Sequence, residues 1–446
     1  MKKIVISVAA LLAVNSAIAQ ISFSGNSREV ITVSPQASTG LNNIYVLYDT
    51  NGVSISYTAS SSSSAITWYR FSNLGGAYAE PISGITHSGS VYTLPSVEGD
   101  MGYIVEEGSR RTYFWIVDYA AHYLDLQSLT VSAEQDCAMT ALETMGNGDK
   151  ILYYTINGRQ MELDRELSLQ YSTLEWNSDS ETYVQVETTE TFSYLPSVIY
   201  TAAPLCDTDF SLSGDRFLRQ WGEAETIVSP SFSTIAVAAE TSATQTTREN
   251  DNEQKEDGAA LGGSAPVEIT FKAAVTDAAI YREWQISEDI EFENISMRFN
   301  ELETTHTFLD YGTYYVRFMA SNDAGTCDYY GATYEISVGE SRLECPNAFS
   351  PGATEGVNDE WKVSYKSITS FECHIFNRWG IKVAEFSDPS QGWDGRHNGK
   401  LVPAGVYYYV IKARGADGRD YDLKGDINII NYNGTLNGTT SNPATE

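Results

Sequence analysis

Short strand-like runs that end in turn residues constrain the fold of this chain more than any other sequence feature. Apolar and polar residues alternate in Asn43–Tyr48 and Val53–Tyr57, and the turn residues Asp49–Gly52 between them predict a hairpin. Asn157–Gly158 separates two further runs in the same way. The chain has 29 tyrosines and no helical heptads, so the composition also favours strands. The sequence predicts an all-β protein built from tandem Ig-like β-sandwich domains.

The most densely patterned stretch is Cys345–Ile430. Turn pairs such as Asp394–Gly395 and Asp417–Gly418 separate its strand-like runs. One of these runs, Val406–Ile411, is a near-continuous series of aromatic and β-branched residues. Such a run predicts a strand buried on both faces. Several short strands between these turns predict a small antiparallel β-sandwich at the C-terminus.

Six motifs occur in this stretch: PNAFSP, GVND, IFNRWG, GWDG, PAGVYYYVI and a KG placed before the last strand. In combination they resemble the gliding motility-associated C-terminal domain, which is the type B sorting domain of type IX secretion system cargo. The resemblance implies that residues 341–431 bind the type IX secretion translocon and take the protein across the outer membrane. The motif residues are Pro346, Asn347, Phe349, Ser350, Pro351, Asn358, Asp359, Phe376, Asn377, Arg378, Trp379, Gly380, Gly392, Trp393, Asp394, Gly395, Gly405, Tyr407, Tyr408, Lys424 and Gly425.

The first nineteen residues have the pattern of a secretory signal peptide. Lys2 and Lys3 precede the apolar run Ile4–Val14, and Ala17–Ala19 forms an A-x-A cleavage site. The apolar run is too short to span a bilayer, and we expect no transmembrane segment after its removal. Together the two signals predict export to the periplasm and then to the surface of a Gram-negative cell or the extracellular space.

A chain of 446 residues is too long for one sandwich. We expect Trp68 to be the core tryptophan of the first domain, and we interpret Gly214–Trp221 as a short turn or loop between strands. The predicted division is a signal peptide at 1–19, an Ig-like β-sandwich at 20–131, a second β-rich domain at 132–239, an acidic flexible linker at 240–265, a PKD/Ig-like domain at 266–340, the sorting domain at 341–431 and a flexible tail at 432–446.

The third domain has a resemblance of its own. Asp310–Val316 followed by Ala320–Asn322 resembles the GxYxVxLxAxN strand of PKD-type Ig-like domains, and the resemblance implies that Trp284 is the core tryptophan. The segment before it has almost no large apolar side chains, so its burial would not offset the entropy of ordering it. This composition predicts that 240–265 is mobile and accessible to proteases.

The charge distribution limits the kinds of partner that we expect this protein to bind. The formal net charge is -31. Cys345–Ile430 contains 10 basic and 11 acidic residues, whereas the rest of the chain after residue 19 contains 16 basic and 48 acidic residues. An acidic passenger repels the phosphates of nucleic acids, so we expect no nucleic-acid partner.

Five cysteines are present, and none forms a CxxC pair. Export permits disulfides, and an odd count leaves at least one thiol over. Cys137–Cys206 is a plausible bridge within one domain, and Cys327–Cys345 is a plausible bridge between the third domain and the sorting domain; the other pairings remain open.

No catalytic motif is recognisable. The sequence lacks HExxH, GxSxG and phosphate-binding glycine loops, and the five histidines have no metal-ligand spacing. Acidic pairs such as Glu106–Glu107, Glu288–Asp289 and Asp207 with Asp209 are expected by chance in so acidic a passenger. Asp207 with Asp209, or Asp417 with Asp420 and Asp422, are the candidates for Ca²⁺, against the simpler interpretation of solvated turns. We expect no cofactor.

These features favour a non-enzymatic surface or secreted protein whose passenger is an adhesion or binding module for an unknown extracellular protein or carbohydrate. The alternatives are a structural accessory of the type IX secretion or gliding machinery and an exoenzyme with an unrecognised site. Five tyrosines are candidates for a binding face. We expect at least half of them to lie in the core and the exposed ones to contact a sugar or a protein. The tyrosines are Tyr69, Tyr78, Tyr103, Tyr119 and Tyr123.

Overall fold

The computed structural model describes residues 20–133, 135–255, 261–353 and 356–430. The predicted signal peptide at 1–19 and the predicted tail at 432–446 lie outside these residues. The chain forms two compact units. The first ends at Thr234, and the second contains the residues from Ile235 onwards together with Leu174–Val184.

The first domain is a two-layer β-sandwich. One sheet has the order β1-β4-β8-β7 and the other has the order β2-β3-β10-β9-β5-β6. Trp68 is buried in the core between them, as predicted. The strands are β1 (Ile21–Ser24), β2 (Ile31–Val33), β3 (Asn43–Leu47), β4 (Ser54–Thr58), β5 (Ile66–Phe71), β6 (Glu80–Pro81), β7 (Thr86–Ser88), β8 (Val91–Leu94), β9 (Met101–Glu107) and β10 (Arg110–Asp118), and short 3₁₀ helices span Ala37–Thr39, Gly76–Tyr78 and Tyr119–His122.

The hairpin predicted around Asp49–Gly52 is wrong. Strands β3 and β4 belong to different sheets, so the turn between them connects the two layers of the sandwich. Strand β3 is buried along most of its length and lies between β2 and β10, pairing with the latter in parallel. A strand buried on both faces gains more in the interior of a sheet than in an isolated hairpin, and this long-range pairing overrides the turn signal.

The second domain contains three small sheets with the orders β11-β12-β17, β13-β14 and β16-β15-β18-β19. The hairpin predicted around Asn157–Gly158 is present as β13 and β14. The elements are β11 (Asp125–Val131), β12 (Met139–Asn147), β13 (Ile151–Tyr154), β14 (Gln160–Leu163), β15 (Leu167–Asn177), β16 (Thr182–Phe192), β17 (Val198–Ala202), β18 (Ser211–Ser213), α1 (Arg216–Trp221) and β19 (Thr226–Val228).

The interpretation of Gly214–Trp221 as a turn or loop is wrong, because Arg216–Trp221 is an α-helix. Asp215 caps its N-terminus by accepting hydrogen bonds from the backbone N–H groups of Phe217 and Leu218, and Gly222 ends it in the left-handed conformation. Phe217 and Leu218 are buried. The caps and this apolar contact stabilise a helix that is too short to be stable on its own.

The first two domains share one hydrophobic core. This core joins residues of the first domain, such as Trp115 and Tyr119, to Leu126, Leu169 and Phe210 of the second. Strand β11 pairs with β12, so it belongs to the second domain, although the predicted boundary at residue 131 places it in the first. The second domain therefore starts earlier than predicted.

A buried ion pair lies in this shared core. Arg165 donates to Asp215 Oδ2 at 2.8 Å and to the carbonyl oxygens of Asp149 and His122, and the Tyr119 hydroxyl donates to Asp215 Oδ2 at 2.9 Å. Both charged side chains are fully buried. Removing either partner would leave an uncompensated buried charge, which typically costs about 3–5 kcal/mol.

The third domain is a sandwich of two sheets, β20-β22-β25 and β21-β28-β26-β23-β24, with β27 paired to β26. Trp284 is fully buried, as predicted. The strands are β20 (Ala239–Gln245), β21 (Gly262–Gly263), β22 (Val267–Val275), β23 (Tyr281–Ser287), β24 (Ile295–Phe299), β25 (Glu303–Phe308), β26 (Gly312–Ser321), β27 (Asp328–Tyr330) and β28 (Tyr334–Val338).

The described part of the predicted linker 240–265 has defined structure, which corrects that prediction. Strand β20 pairs with β22 along its whole length, and Gly262–Gly263 pairs in parallel with β28. Along β20 the side chains at alternate positions are more buried, which is the pattern of a strand with one covered face. Backbone pairing with β22 and β28 thus orders a segment whose composition has few large apolar side chains.

The C-terminal domain is built around a five-stranded sheet with the order β30-β39-β38-β33-β34, and three two-stranded pairs, β29-β32, β31-β35 and β36-β37, complete it. Its core is separate from those of the other domains. The strands are β29 (Arg342–Glu344), β30 (Ala348–Phe349), β31 (Trp361–Lys362), β32 (Ser364–Lys366), β33 (Ile368–Phe376), β34 (Lys382–Phe386), β35 (Gly392–Trp393), β36 (Arg396–His397), β37 (Lys400–Leu401), β38 (Gly405–Gly415) and β39 (Asp420–Ile429).

Val406–Ile411 forms a strand, but the prediction that both of its faces are buried is wrong. Tyr407 and Ile411 face the core, whereas Val406 and Tyr408 on the opposite face are exposed. Among the described residues the core lies on one face of the five-stranded sheet, so its central strand alternates like other half-buried antiparallel strands.

The cysteines also depart from expectation. Cys137 and Cys327 are each part of a disulfide, whereas Cys206, Cys345 and Cys373 are not disulfide-bonded. Neither of the two predicted bridges is therefore formed. Within the described residues no helix has the length and the apolar composition needed to cross a bilayer.

Candidate functional site

Several motif residues of the C-terminal domain form its core. The ring centroid of Trp393 lies 5.5 Å from that of Phe349 and 5.1 Å from that of Tyr407. The indole N–H of Trp393 donates to the Arg396 carbonyl oxygen, and the Tyr407 hydroxyl donates to the Pro403 carbonyl oxygen, both at 2.9 Å. Every polar atom of these aromatics therefore has a partner, so they can be buried without loss.

Glycine is required beside this cluster. Gly395 has a φ of +75°, and a Cβ there would lie 3.0 Å from Pro351 Cγ and 3.3 Å from Phe349 Cζ. A Cβ at Gly392 would lie 2.5 Å from Lys362 Cγ. The two glycines of the GWDG motif are therefore required by close packing and by the geometry of the turn.

A second group of motif residues holds loops. Asp359 accepts hydrogen bonds from the backbone N–H groups of Gly352 and Gly356 at 2.8 and 2.7 Å. The Ser350 N–H donates to the carbonyl oxygen of Asn358, which has a φ of +55°. Asp394 accepts from the Arg396 N–H at 2.9 Å. These polar side chains act as local turn stabilisers.

Backbone carbonyls of the PNAFSP motif tie the start of the domain to its end. The Pro346 carbonyl oxygen accepts from the indole N–H of Trp361 at 2.7 Å, and the Asn347 carbonyl oxygen accepts from the Asn428 N–H at 2.9 Å. Phe349 lies in β30, which pairs in parallel with β39. The motif thus closes one edge of the five-stranded sheet.

The KG motif lies inside the last strand, which corrects its predicted place before that strand. Gly425 is directly opposite Tyr409 in the β38–β39 ladder, and a Cβ at Gly425 would lie 2.5 Å from the Tyr409 hydroxyl oxygen. The absence of a side chain makes room for the tyrosine ring, whose centroid lies 5.2 Å from that of Trp361. Lys424 points to the exposed face, 3.7 Å from Asp422.

The IFNRWG motif forms an exposed turn between β33 and β34. The Asn377 side-chain oxygen accepts hydrogen bonds from the backbone N–H groups of Trp379 and Ile381, both at 3.0 Å, and Gly380 has a φ of +78°. The Arg378 guanidinium lies 4.1 Å from the centroid of the Trp379 ring. Trp379 is 71% exposed, so the turn holds a large aromatic side chain in solvent.

Other exposed apolar side chains lie at the same end of the sheet. Tyr408, which is 46% exposed, is directly opposite Phe376, the last residue before the turn. Val406 lies two residues before Tyr408 on the same face of β38, beyond the end of β33. We call Trp379, Ile381, Val406 and Tyr408 the exposed patch. Gly405 begins the strand that carries two of its members; its φ is +145°, and a Cβ there would meet nothing within 4 Å beyond its chain neighbours.

Residues 343–429 match the family described as the CHU_C type IX secretion signal domain. The C-terminal domain is a type IX secretion signal domain. Such a domain directs export to the cell surface or the extracellular space and implies recognition by the secretion machinery. The resemblance seen in the motifs is thereby confirmed.

Residues 130–229 match a second family, the fibronectin type III domain Fn3_FA. The chain is therefore a multi-domain protein that contains a fibronectin type III domain and, at its C-terminal end, the signal domain.

Solved structures with weak likeness to the chain include the tetra-tandem repeat in the extending region of a large adhesion protein, with 13% identity over 86% of this chain and 96% of that chain and a TM-score of 0.22. The fibronectin(III)-like modules of Clostridium thermocellum CbhA have 10% identity over 45% of this chain and 100% of that chain, with a TM-score of 0.19. Three N-terminal domains of the bacteriophage RB49 Hoc protein have 10% identity over 68% of this chain and 100% of that chain, with a TM-score of 0.20. No curated protein matches the chain.

The other candidate carboxylates have local structural partners. Glu106 pairs with Arg111 at 2.7 Å, and Asp207 accepts from the Thr234 N–H at 2.9 Å. Asp289 accepts from the backbone N–H groups of Glu291 and Glu293, and these bonds lower its pKa. Hydrogen bonds from Ser60, first of all from its hydroxyl, lower the pKa of Glu107 to about 2. Each of these carboxylates is thus bound by a turn or an ion pair, as acidic side chains in loops commonly are.

The Ca²⁺ candidates do not converge either. Asp417 accepts from the Ser341 hydroxyl at 2.7 Å, while Asp420 and Asp422 lie on the exposed face of β39. Across the described ranges, no three His, Cys, Asp or Glu side chains are grouped so that they could hold a metal ion.

The histidines and the five candidate tyrosines are dispersed. His122 lies 2.9 Å from Asp100 and His374 lies 2.9 Å from Glu372, whereas burial lowers the pKa of His306. Among the five tyrosines, Tyr103 and Tyr119 are core residues and Tyr78 is exposed, so the set does not form one binding face.

Proposed function

We propose that this protein is cargo of the type IX secretion system and that the translocon recognises the exposed patch of the signal domain. The observation that carries the proposal is the exposure of Trp379 inside the family motif. Tryptophan is a frequent anchor of protein interfaces because it buries a large area at small entropic cost.

The geometry of the turn supports a recognition role. The two hydrogen bonds to the Asn377 side chain fix the backbone of Trp379 and Ile381 before any partner binds. A preformed turn loses little conformational freedom on binding, so more of the contact energy appears as affinity. The motif residues around Trp393 belong to the core of the domain, whereas Trp379 and Ile381 in the turn are mostly exposed.

Export of full-chain variants tests this function. We expect Trp379→Ala to reduce the cell-surface and extracellular fraction at least several-fold and to increase the periplasmic fraction. Deletion of Cys345–Glu446 should abolish export. Tyr281→Ala is the matched control, because Tyr281 is an exposed aromatic of the third domain.

Surface protease shaving and immunoblotting of cell fractions measure the distribution. Normal export of the deletion variant would refute the role of the signal domain. Normal export of Trp379→Ala, with the deletion variant retained, would refute only the exposed patch.

For the passenger, the function that fits best is non-enzymatic binding of an extracellular protein through a flat β-surface. The outer face of the sheet β11-β12-β17 carries Met139, Met145 and Tyr200, which are 53%, 64% and 64% exposed. Ala141 is directly opposite Tyr200 in this sheet, so a small side chain lies beside the tyrosine. Methionine and tyrosine are enriched in protein interfaces, and methionine adapts to the shape of a partner.

Binding of the full chain to immobilised extracellular proteins and to immobilised glycans tests the passenger. We expect binding to at least one protein and a loss of about tenfold or more for the double variant Met145→Ser with Tyr200→Ser. Tyr281→Ser is the control. Equal binding by the double variant, or binding to glycans alone, would contradict the proposal.

A further inference from the structure

We infer that the export signal of this protein extends beyond the family domain and includes Arg248–Gln254, which we call the upstream segment. The inference rests on the proposed export function. The family domain begins at residue 343, so the whole third domain after β20 lies between it and the upstream segment in the sequence. In the structure this segment is bound to the signal domain through an isolated β-bridge and side-chain hydrogen bonds.

The backbone of the upstream segment pairs with β32. The Gln254 N–H donates to the Tyr365 carbonyl oxygen at 2.8 Å, and the Tyr365 N–H donates to the Asn252 carbonyl oxygen at 3.1 Å. These bonds form a parallel bridge between Glu253 and Tyr365. Strand β32 is already paired with β29 on its other edge. The segment therefore pairs with the edge of β32 that β29 leaves open.

Asn252 is the most heavily used side chain of the segment. Its amide nitrogen donates to the carbonyl oxygens of Val363 and Pro389, both at 2.8 Å. Val363 directly precedes β32, and Pro389 lies in the loop between β34 and β35. One side chain thus connects two parts of the signal domain that are distant in the sequence.

Other side chains fix the ends of the segment. Gln254 donates to the Ser364 hydroxyl at 2.8 Å, and Asn250 donates to the Tyr365 hydroxyl at 3.0 Å. Lys362 lies 3.3 Å from the Asp251 carboxylate.

Charge pairing holds the segment in its bound conformation. Glu253 is buried and pairs with Arg248, which also donates to the Ser264 carbonyl oxygen at 2.8 Å. A buried carboxylate is stable only while it is paired and hydrogen-bonded. Release of the segment would separate groups that now satisfy one another.

These contacts give the segment a direct part in the folding of the signal domain. Tyr365 is buried in the core of the signal domain and has both of its backbone groups bonded to the segment. Without the segment, the edge of β32 and the carbonyls of Val363 and Pro389 would lose these partners. We expect a translocon that recognises the folded signal domain to export a chain with a released segment poorly.

Two substitutions of Asn252 in the full chain test the inference. Asn252→Ala removes both hydrogen bonds, and Asn252→Asp keeps the volume but places a carboxylate against two carbonyl oxygens. Glu249→Ala is the matched control, because Glu249 is exposed within the same segment. The readouts are amide hydrogen exchange at Tyr365 in the purified protein and the exported fraction in cells.

We expect exchange at Tyr365 to become about tenfold faster for Asn252→Ala and faster still for Asn252→Asp. The exported fraction should fall in the same order, with Glu249→Ala unchanged. Unchanged exchange would show that the segment does not hold β32 and would overturn the inference. Faster exchange with normal export would overturn it too. Export that continues after deletion of Cys345–Glu446 would instead refute the proposed function, so the two failures are distinguishable.

Discussion

The signal domain contains two buried tryptophans, Trp361 and Trp393, and one exposed tryptophan, Trp379. Trp361 and Trp393 form a cross-strand pair, are buried, and donate their indole N–H groups to backbone carbonyls. Trp379 lies between them in the sequence, yet it stands in solvent on a hydrogen-bonded turn. The family motifs therefore combine residues that build the fold with residues that the fold displays.

The largest effect should come from the buried set. Trp393→Ala removes the ring that packs against Phe349 and Tyr407, and such a truncation typically destabilises by about 3–5 kcal/mol. Hydrogen exchange of β38 amides in increasing urea measures the loss for this domain. Trp379→Ala is the paired control and should stay within about 0.5 kcal/mol of the wild type. If both substitutions destabilised the signal domain equally, the assignment of Trp393 to the core and of Trp379 to the displayed surface would be wrong.

The packing of Gly425 tests how tightly the sheet is filled around the buried Trp361. A side chain at Gly425 would meet the Tyr409 ring, so we expect Gly425→Val to cost about 1–3 kcal/mol. Combining it with Tyr409→Leu should cost less than the sum of the two single changes, because the smaller side chain relieves the overlap. Additive losses in the same exchange experiment would show that the two residues do not compete for space.

Substitution in the turn that carries Trp379 should destabilise the domain less than substitution in its core. Asn377→Ala removes the acceptor of two backbone N–H groups, which water can partly replace, and we expect a loss of about 1 kcal/mol. Export should fall because Trp379 is no longer held in place. Asn377→Asp keeps an acceptor oxygen and is the control. Loss of export by the control as well would indicate that the asparagine side chain itself is recognised.

The smallest expected effect is a pH dependence at Asp417. Partial burial by itself would raise the pKa of this carboxyl, but hydrogen bonds from Ser341 and from the Arg419 N–H outweigh it and hold the pKa below the ordinary value of 3.8. The folded-state pKa is thus below that of the unfolded chain, so the carboxylate stabilises fully above 3.8 and contributes less as the pH falls through the folded-state pKa.

Exchange of the β38 and β39 amides between about pH 5 and pH 2.5 checks this, since that window extends from above the unfolded-state pKa to below it. Asp417→Asn should reduce the part of the acid sensitivity that is local to the loop between these strands. An unchanged pH profile would contradict a stabilising role for this carboxylate.

Periodicity and turn residues predicted much of this fold. The Asn157–Gly158 hairpin, the core positions of Trp68 and Trp284, and the C-terminal sheet all follow from local sequence. The failures have a common cause. The Asp49–Gly52 turn connects two sheets, and the polar segment after residue 239 pairs with other strands, because contacts made far along the chain outweighed the local signal.

The candidate site was predictable as a set of residues but not as a surface. The motifs name both Trp393 and Trp379, and nothing in their spacing tells which one is buried. Trp361 and the upstream segment lie outside the motif residues, although both contact the signal domain closely.

Local sequence was enough to establish the all-β class and the secretion signal, because strand periodicity, turn chemistry and a specific combination of motifs are short-range properties of the chain. Packing in three dimensions was needed to select which motif residues face solvent, which strands share a sheet, and that Arg248–Gln254 completes a domain that begins much later in the chain. Those outcomes depend on burial and on hydrogen bonds between distant residues, which are set when the chain packs.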